Sequence, residues 1–146
     1  QAGLSWITVL RKQNNYRKAF DNFNPEKIAR YNEEKINQLL MNPGIIRNRL
    51  KILAAIQNAK SFIEIKNKYG SFDNYIWRFV DYTPMINNWN SLKEIPPRTI
   101  ESDLMSKELK KSGFKFVGST ICYAFMQAVG MVNDHLIYCF KHKQLL

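Results

Sequence analysis

The 146-residue sequence predicts an all-α protein, one helical domain over residues 1–146. Three observations carry that expectation. Apolar residues recur at helical spacing along most of the chain, capping signals mark the starts of the periodic segments, and two-residue alternation is sparse. The length suits a single domain, and a hydrophobic content of 45% is enough for a proper core.

The elements follow in order. Leu4 to Phe20 carries a near-helical stripe of Leu4, Ile7, Val9, Leu10, Tyr16, Ala19 and Phe20. Asn24-Pro25-Glu26 reads as an N-cap, a proline at the first helical position and an acid in the first turn. Asn32-Glu33-Glu34 opens another helix, with Ile36, Leu39 and Leu40 on its buried side. Asn42-Pro43-Gly44 breaks the chain, and Ile45 to Ile65 resumes a long helical pattern that Gly70-Ser71 ends. Ser71 is then expected to cap a helix carrying Tyr75, Trp77, Phe79 and Val80. Asp81 to Thr99, punctuated by Pro84, Pro96 and Pro97, is the one extended connector. A helix from Ser102 or Asp103 to near Gly113, a tight turn, and a helix from Ser119 to Val129 stopped by Gly130 complete the pattern.

Composition narrows the function classes. Lys+Arg is 22 against 12 acids, a formal net charge of +10, which attracts a polyanion; a solubilising basic surface accounts for the excess as well. No apolar run approaches the roughly 18 residues of a membrane span, and no signal-peptide pattern is present. Two cysteines, Cys122 and Cys139, are too few for a disulfide framework, so a reduced intracellular setting is expected. The chain starts with Gln1 and enters an apolar helical segment at once, as a chain cut upstream would.

The informative stretch is Leu109 to Cys139: a helix, a glycine-bounded hairpin from Gly113 to Gly118, and a second helix opening with Ser119-Thr120. Gly118 is expected to let the backbone turn without a Cβ clash. Unpaired N–H groups at the start of the second helix, beside two hydroxyls, suit a phosphate, with Lys110, Lys111 and Lys115 adding attraction. An ordinary helical hairpin with a solvated basic face fits the same pattern.

Three segments then agree in order and spacing with one family: QAGLSWITVLRK at the start, PGIIRNRLKILAAIQNAKSF from Pro43 to Phe62, and GFKFVGSTICYAFMQAVGMVNDH from Gly113 to His135. Together they resemble the type I DNA-3-methyladenine glycosylases of the helix-hairpin-helix superfamily. The resemblance implies that fold, a double-stranded alkylated DNA substrate, base flipping, and hydrolysis of the N-glycosidic bond to 3-methyladenine. It also implies a monomer in the bacterial cytoplasm or nucleoid, with neither membrane nor protein partner. The adduct is cationic, so its glycosidic bond is already weakened and no strong general acid is required.

Residue by residue, the resemblance makes Trp6 the tryptophan that stacks on the flipped base, a cation favouring an electron-rich face. Packing in a helix core is the alternative for Trp6. Gly3 and Leu4 match the part that approaches the gap left by the base, where an apolar wedge offsets lost stacking; for Leu4 a core role stays open. Lys115, Gly118, Ser119 and Thr120 are the expected DNA contacts. Asp134 is the acid that follows the hairpin: a carboxylate there stabilises the cationic sugar or activates water, or else caps a final helix that holds His135 in its first turn. The family's structural zinc implies His135 and Cys139 as two ligands, half of a site, four residues apart and on one face if helical; a partly buried histidine and an inert thiol are the alternative on the residues alone. The other two ligands, the pocket glutamate and a cage tyrosine belong to a segment upstream of Gln1. Neither Cys122 nor His142 matches a ligand position, and Cys122 is expected in the core. No lysine occupies residues 119–122, where a Schiff-base lyase would need an amine, so the expected enzyme is monofunctional. The alternative is a non-catalytic helix-hairpin-helix DNA-binding module without the pocket glutamate.

Overall fold

The computed structural model describes residues 5–144, apart from the side chain of Trp6. Among them lie nine α-helices and one two-stranded sheet. The chain forms two compact units, residues 1–71 with 112–116 and residues 72–111 with 117–146.

The first unit contains α1 (Trp6–Arg11), α2 (Gln13–Ala19), α3 (Pro25–Ile28), α4 (Glu33–Met41) and α5 (Arg49–Tyr69). The helix expected from Leu4 to Phe20 is two helices, because Lys12 adopts φ −99° and ψ 3°. Lys12 Nζ donates to the carbonyls of Pro43 (3.0 Å) and Gly44 (3.3 Å), Asn15 Nδ2 donates to Gly44 O, and Ile46 N donates to the Tyr16 hydroxyl. One face of α2 thus fastens the Asn42-Pro43-Gly44 break. Asn24 and Asn32 cap α3 and α4, accepting from Lys27 N and Lys35 N at 3.0 Å each. The long helix begins four residues later than Ile45, because Asn48 caps it by accepting from Lys51 N at 3.1 Å. Phe20, Ile28, Ile36, Leu39, Ile45, Ile52 and Ile56 form the core. Asp21, Asn22 and Phe23 all have positive φ, a left-handed turn that costs roughly 1–2 kcal/mol per residue. Tyr31 braces it, donating its hydroxyl to Asp21 Oδ2 at 2.6 Å.

The second unit contains α6 (Phe72–Trp77), α7 (Ile100–Lys111), α8 (Ser119–Ala128) and α9 (Phe140–Gln144) around buried Tyr75, Met105, Tyr123, Met126 and Met131. Helix α7 starts at Ile100, not at Ser102 or Asp103. Thr99 and Ser102 cap each other reciprocally, Thr99 N donating to Ser102 Oγ (2.8 Å) and Ser102 N to Thr99 Oγ1 (3.4 Å). The connector of residues 81–99 is not wholly irregular. Its β1 (Met85–Ile86) pairs in parallel with β2 (Val132–Asn133), Met85 opposite Val132. Two residues are too few for a periodic signal, yet this pairing sets Asn87–Trp89 beside the segment after β2.

Candidate functional site

The hairpin segment is divided between the two units, and each part is held by bonds within its own unit. In the first, Asn58 on α5 grips the turn through Lys115: Lys115 N donates to Asn58 Oδ1 at 2.7 Å and Asn58 Nδ2 donates to Lys115 O at 3.1 Å. Gly113 has φ +91°, and a Cβ there would stand 2.8 Å from Ser61 Oγ. In the second unit, Ser106 Oγ on α7 donates to Val117 O at 2.6 Å, and the Cys122 thiol points at the same carbonyl. Ser102 Oγ gives its proton to Thr99 O, so the 2.8 Å contact between Ser102 and Ser119 is donated by Ser119. Ser61, Ser106 and Asn58 escaped the sequence reading, because a polar residue on a helix reads as surface until its partner is known.

Two expectations about the hairpin change. Gly118 has an ordinary φ of −64°, and a Cβ there would meet nothing within 4 Å. The positive φ values lie instead at Gly113 and Phe116. The turn therefore has no steric need of glycine at 118; what glycine keeps there is open space in front of α8. Ser119 turns its hydroxyl toward buried Ser102, which takes it away from the role of phosphate contact. Thr120 and Lys115 are exposed, and Gly118 offers no side-chain cap to the first-turn N–H groups of α8.

Asp134 does not cap a helix; it follows β2 in an irregular segment. Its Oδ1 accepts from Asn87 Nδ2 (2.8 Å) and Trp89 Nε1 (2.7 Å), and its Oδ2 from the Tyr123 hydroxyl (2.6 Å) and Gln127 Nε2 (2.7 Å). Partial burial pushes the carboxyl up, but the four donors outweigh it and hold the acid below the usual carboxylate range. Burial, and then the bond to Asp134, push the Tyr123 phenol well above its ordinary value. Two donors on each oxygen fill the carboxylate's lone pairs. The group is a fixed anion with no lone pair left for a water proton.

His135 and Cys139 are not helical either; they flank a turn closed by Cys139 N donating to Leu136 O at 2.8 Å. The turn still brings His135 Nδ1 and Cys139 Sγ to 3.7 Å. Two ligands of a tetrahedral zinc, with bonds of about 2.3 and 2.0–2.1 Å, stand roughly 3.5 Å apart, so the pair fits two zinc positions. Among the described residues no group of three metal-ligating side chains gathers. His142 is buried and donates Nε2–H to Asn87 O at 3.0 Å, which commits it to the β1–β2 segment. Cys122 lies in the core, and burial pushes its thiol up to about 11.

Gly3 and Leu4 lie outside the described residues, as does the side chain of Trp6, whose backbone opens α1. Of the cations after Pro43, Arg49 donates to both oxygens of Glu33 (3.2 and 2.9 Å) and Lys51 lies 6.0 Å from the Phe116 ring centroid, while Arg47 is exposed.

The methyladenine glycosylase family model matches residues 1–142. The chain belongs to the methyladenine glycosylase family. It is 50% identical over 139 residues to DNA-3-methyladenine glycosylase 1 of Escherichia coli, spanning 95% of this chain and 74% of that protein. The DNA-3-methyladenine glycosylase of Haemophilus influenzae is 46% identical over the same share of this chain and 75% of its own length. A crystal structure of 3-methyladenine DNA glycosylase I superposes with a TM-score of 0.91 at 54% identity, covering 96% of this chain and 77% of that one. The Staphylococcus aureus enzyme, solved for its recognition of 3-methyladenine, gives 0.92 at 33% identity, covering 97% and 76%. As a methyladenine glycosylase this chain has the helical fold that its motifs imply. Among the described residues no helix is long and apolar enough to cross a membrane.

Proposed function

We propose that this methyladenine glycosylase hydrolyses the N-glycosidic bond of 3-methyladenine in alkylated duplex DNA, releasing the base and leaving an abasic site. Family membership along residues 1–142 carries the reading. The charged adduct is a good leaving group, so the protein's work is to extract the base, hold it and stabilise the developing sugar cation while water attacks. Trp6 stacks on the flipped base, and Gly3 and Leu4 approach the gap it leaves. The uncapped N–H groups at the start of α8, with Gly118 keeping the space before them clear, take a backbone phosphate, and Thr120 and Lys115 add DNA contacts that position without reading sequence. Asp134 contributes charge and not proton transfer, since it is ionised and its oxygens are filled. No amine stands at residues 119–122, and the reaction stops at hydrolysis.

His135 and Cys139 hold two positions of a structural zinc ion, a reading supported by their 3.7 Å separation. Such an ion cross-links the chain after β2 and supplies no reaction chemistry. The enzyme is read as a monomer of the bacterial cytoplasm or nucleoid, where its DNA substrate lies.

The test is release of free 3-methyladenine from methylated duplex DNA. Release by the wild type is expected, with Trp6→Ala lowering it far more than it lowers affinity for undamaged duplex. Tight, salt-dependent binding to duplex without any release would leave a DNA-binding module and overturn the enzymatic reading.

A further inference from the structure

Phe116 occupies a backbone conformation that a phenylalanine disfavours. Its φ is +57°, the left-handed region, at the tip of the hairpin turn. Phe116 is nevertheless 51% exposed. A strained, half-exposed aromatic held in place by its surroundings points to work done outside the fold. The surroundings do hold it: Asn58 bonds both backbone groups of the preceding Lys115, and Gly113 packs against Ser61.

The ring forms one wall of an open groove of about 610 Å³ within the first unit. The opposite wall is α5, which contributes Leu50 at 70% exposure and Leu53 at 38%. Lys60 and Lys115 line the groove, and the Lys51 ammonium lies 6.0 Å from the Phe116 centroid. Among the described residues no acidic side chain lines it. An apolar floor with an aromatic wall and two lining cations matches a nucleotide: the base or deoxyribose lies against the ring and leucines, and the flanking phosphates meet Lys60 and Lys115.

We propose that this groove of the first unit is a further DNA contact that takes a nucleotide of an unpaired or frayed strand, with Phe116 as its stacking platform. The proposal deepens the DNA-binding reading above and rests on it only for the identity of the polyanion. Hairpin residues supply both Lys115 and Phe116, so the groove is continuous in sequence with the proposed phosphate contact.

The experiment compares wild type with Phe116→Gly and Lys60→Ala, using fluorescence anisotropy with a single-stranded oligonucleotide and with an undamaged duplex across a salt series. Glycine suits φ +57°, so Phe116→Gly removes the ring without straining the turn, and an unchanged or raised Tm verifies the fold. Single-strand affinity is expected to fall about tenfold in Phe116→Gly, which is within the range of one lost base–aromatic stack. Lys60→Ala is expected to reduce the slope of log affinity against log salt by about one. Single-strand affinity within twofold of wild type in Phe116→Gly overturns the proposal. So does a wild type that ignores both oligonucleotides and binds an acidic amphipathic peptide in the groove instead. Base release from methylated duplex, run in parallel, separates the two readings: release with Phe116→Gly binding unaltered sinks only the groove, and lost binding without release sinks only the glycosylase.

Discussion

Replacing Asp134 by asparagine tests whether the second unit is organised around one anion. The carboxylate takes four side-chain donors at 2.6–2.8 Å, two per oxygen. Asparagine keeps one acceptor oxygen and turns an NH2 group toward the other pair, so two charge-assisted bonds are lost and two donors face a donor. Hydrogen bonds to a charged group contribute about 1.5–3 kcal/mol each, and an unsatisfied buried donor adds a penalty. Water reaches this partly exposed site and recovers some of the loss. The net destabilisation is about 3 kcal/mol, or roughly 10 °C in Tm for a chain of this size. Urea unfolding followed by circular dichroism, and calorimetry beside it, measure both quantities. A loss below about 1 kcal/mol at pH 7 would refute the reasoning.

The pH dependence gives an independent check on the same residue. The folded carboxyl lies below its ordinary value, so the unfolded chain takes up the proton first. The stabilisation is therefore full above the unfolded pKa of about 3.9 and drains away as pH falls through the lower folded value. The stability gap between wild type and Asp134→Asn is expected to be flat from pH 5 to 8 and to narrow below about pH 4. A gap that widens toward acid would mean that the carboxyl is not held as an anion.

Two further outcomes follow from the geometry. Gly113→Ala places a Cβ 2.8 Å from Ser61 Oγ at φ +91° and is expected to destabilise by about 2–4 kcal/mol, whereas Gly118→Ala meets nothing and leaves Tm within about 2 °C. Duplex affinity should fall in Gly118→Ala all the same, because the methyl group occupies the space where a phosphate approaches; unchanged affinity would remove Gly118 from the interface. Cys139→Ser is expected to weaken zinc binding, read by titration against a chromophoric chelator; equal zinc affinity in wild type and variant would end the assignment of the His135–Cys139 pair as half of a zinc site.

Much of the fold was legible in the sequence because its cues are local. Asn24 and Asn32 cap their helices by bonds that span three residues, and Gly130 stops α8 with φ +81°. The hairpin was legible for the same reason, as two apolar periodic segments about a glycine-bounded turn. Boundaries failed where a nearby side chain competed: Asn48 took the cap that Ile45 was expected to follow, and Lys12 interrupted one stripe to reach Pro43 and Gly44.

By itself, then, the sequence determined the helical class, the hairpin, the family likeness and the list of groups able to do chemistry. Only the tertiary structure decided what those groups touch. Asp134 draws its donors from 47, 45, 11 and 7 residues away, and Asn58 grips Lys115 across 57. His135 and Cys139 meet through a turn and not along a helix, and Gly118 proves free of the steric duty that Gly113 bears. The physical reason is range. Periodicity and capping act within a turn or two of one residue, whereas the saturation of a carboxylate, the strain at Phe116 and the space before Gly118 depend on segments that only folding brings together.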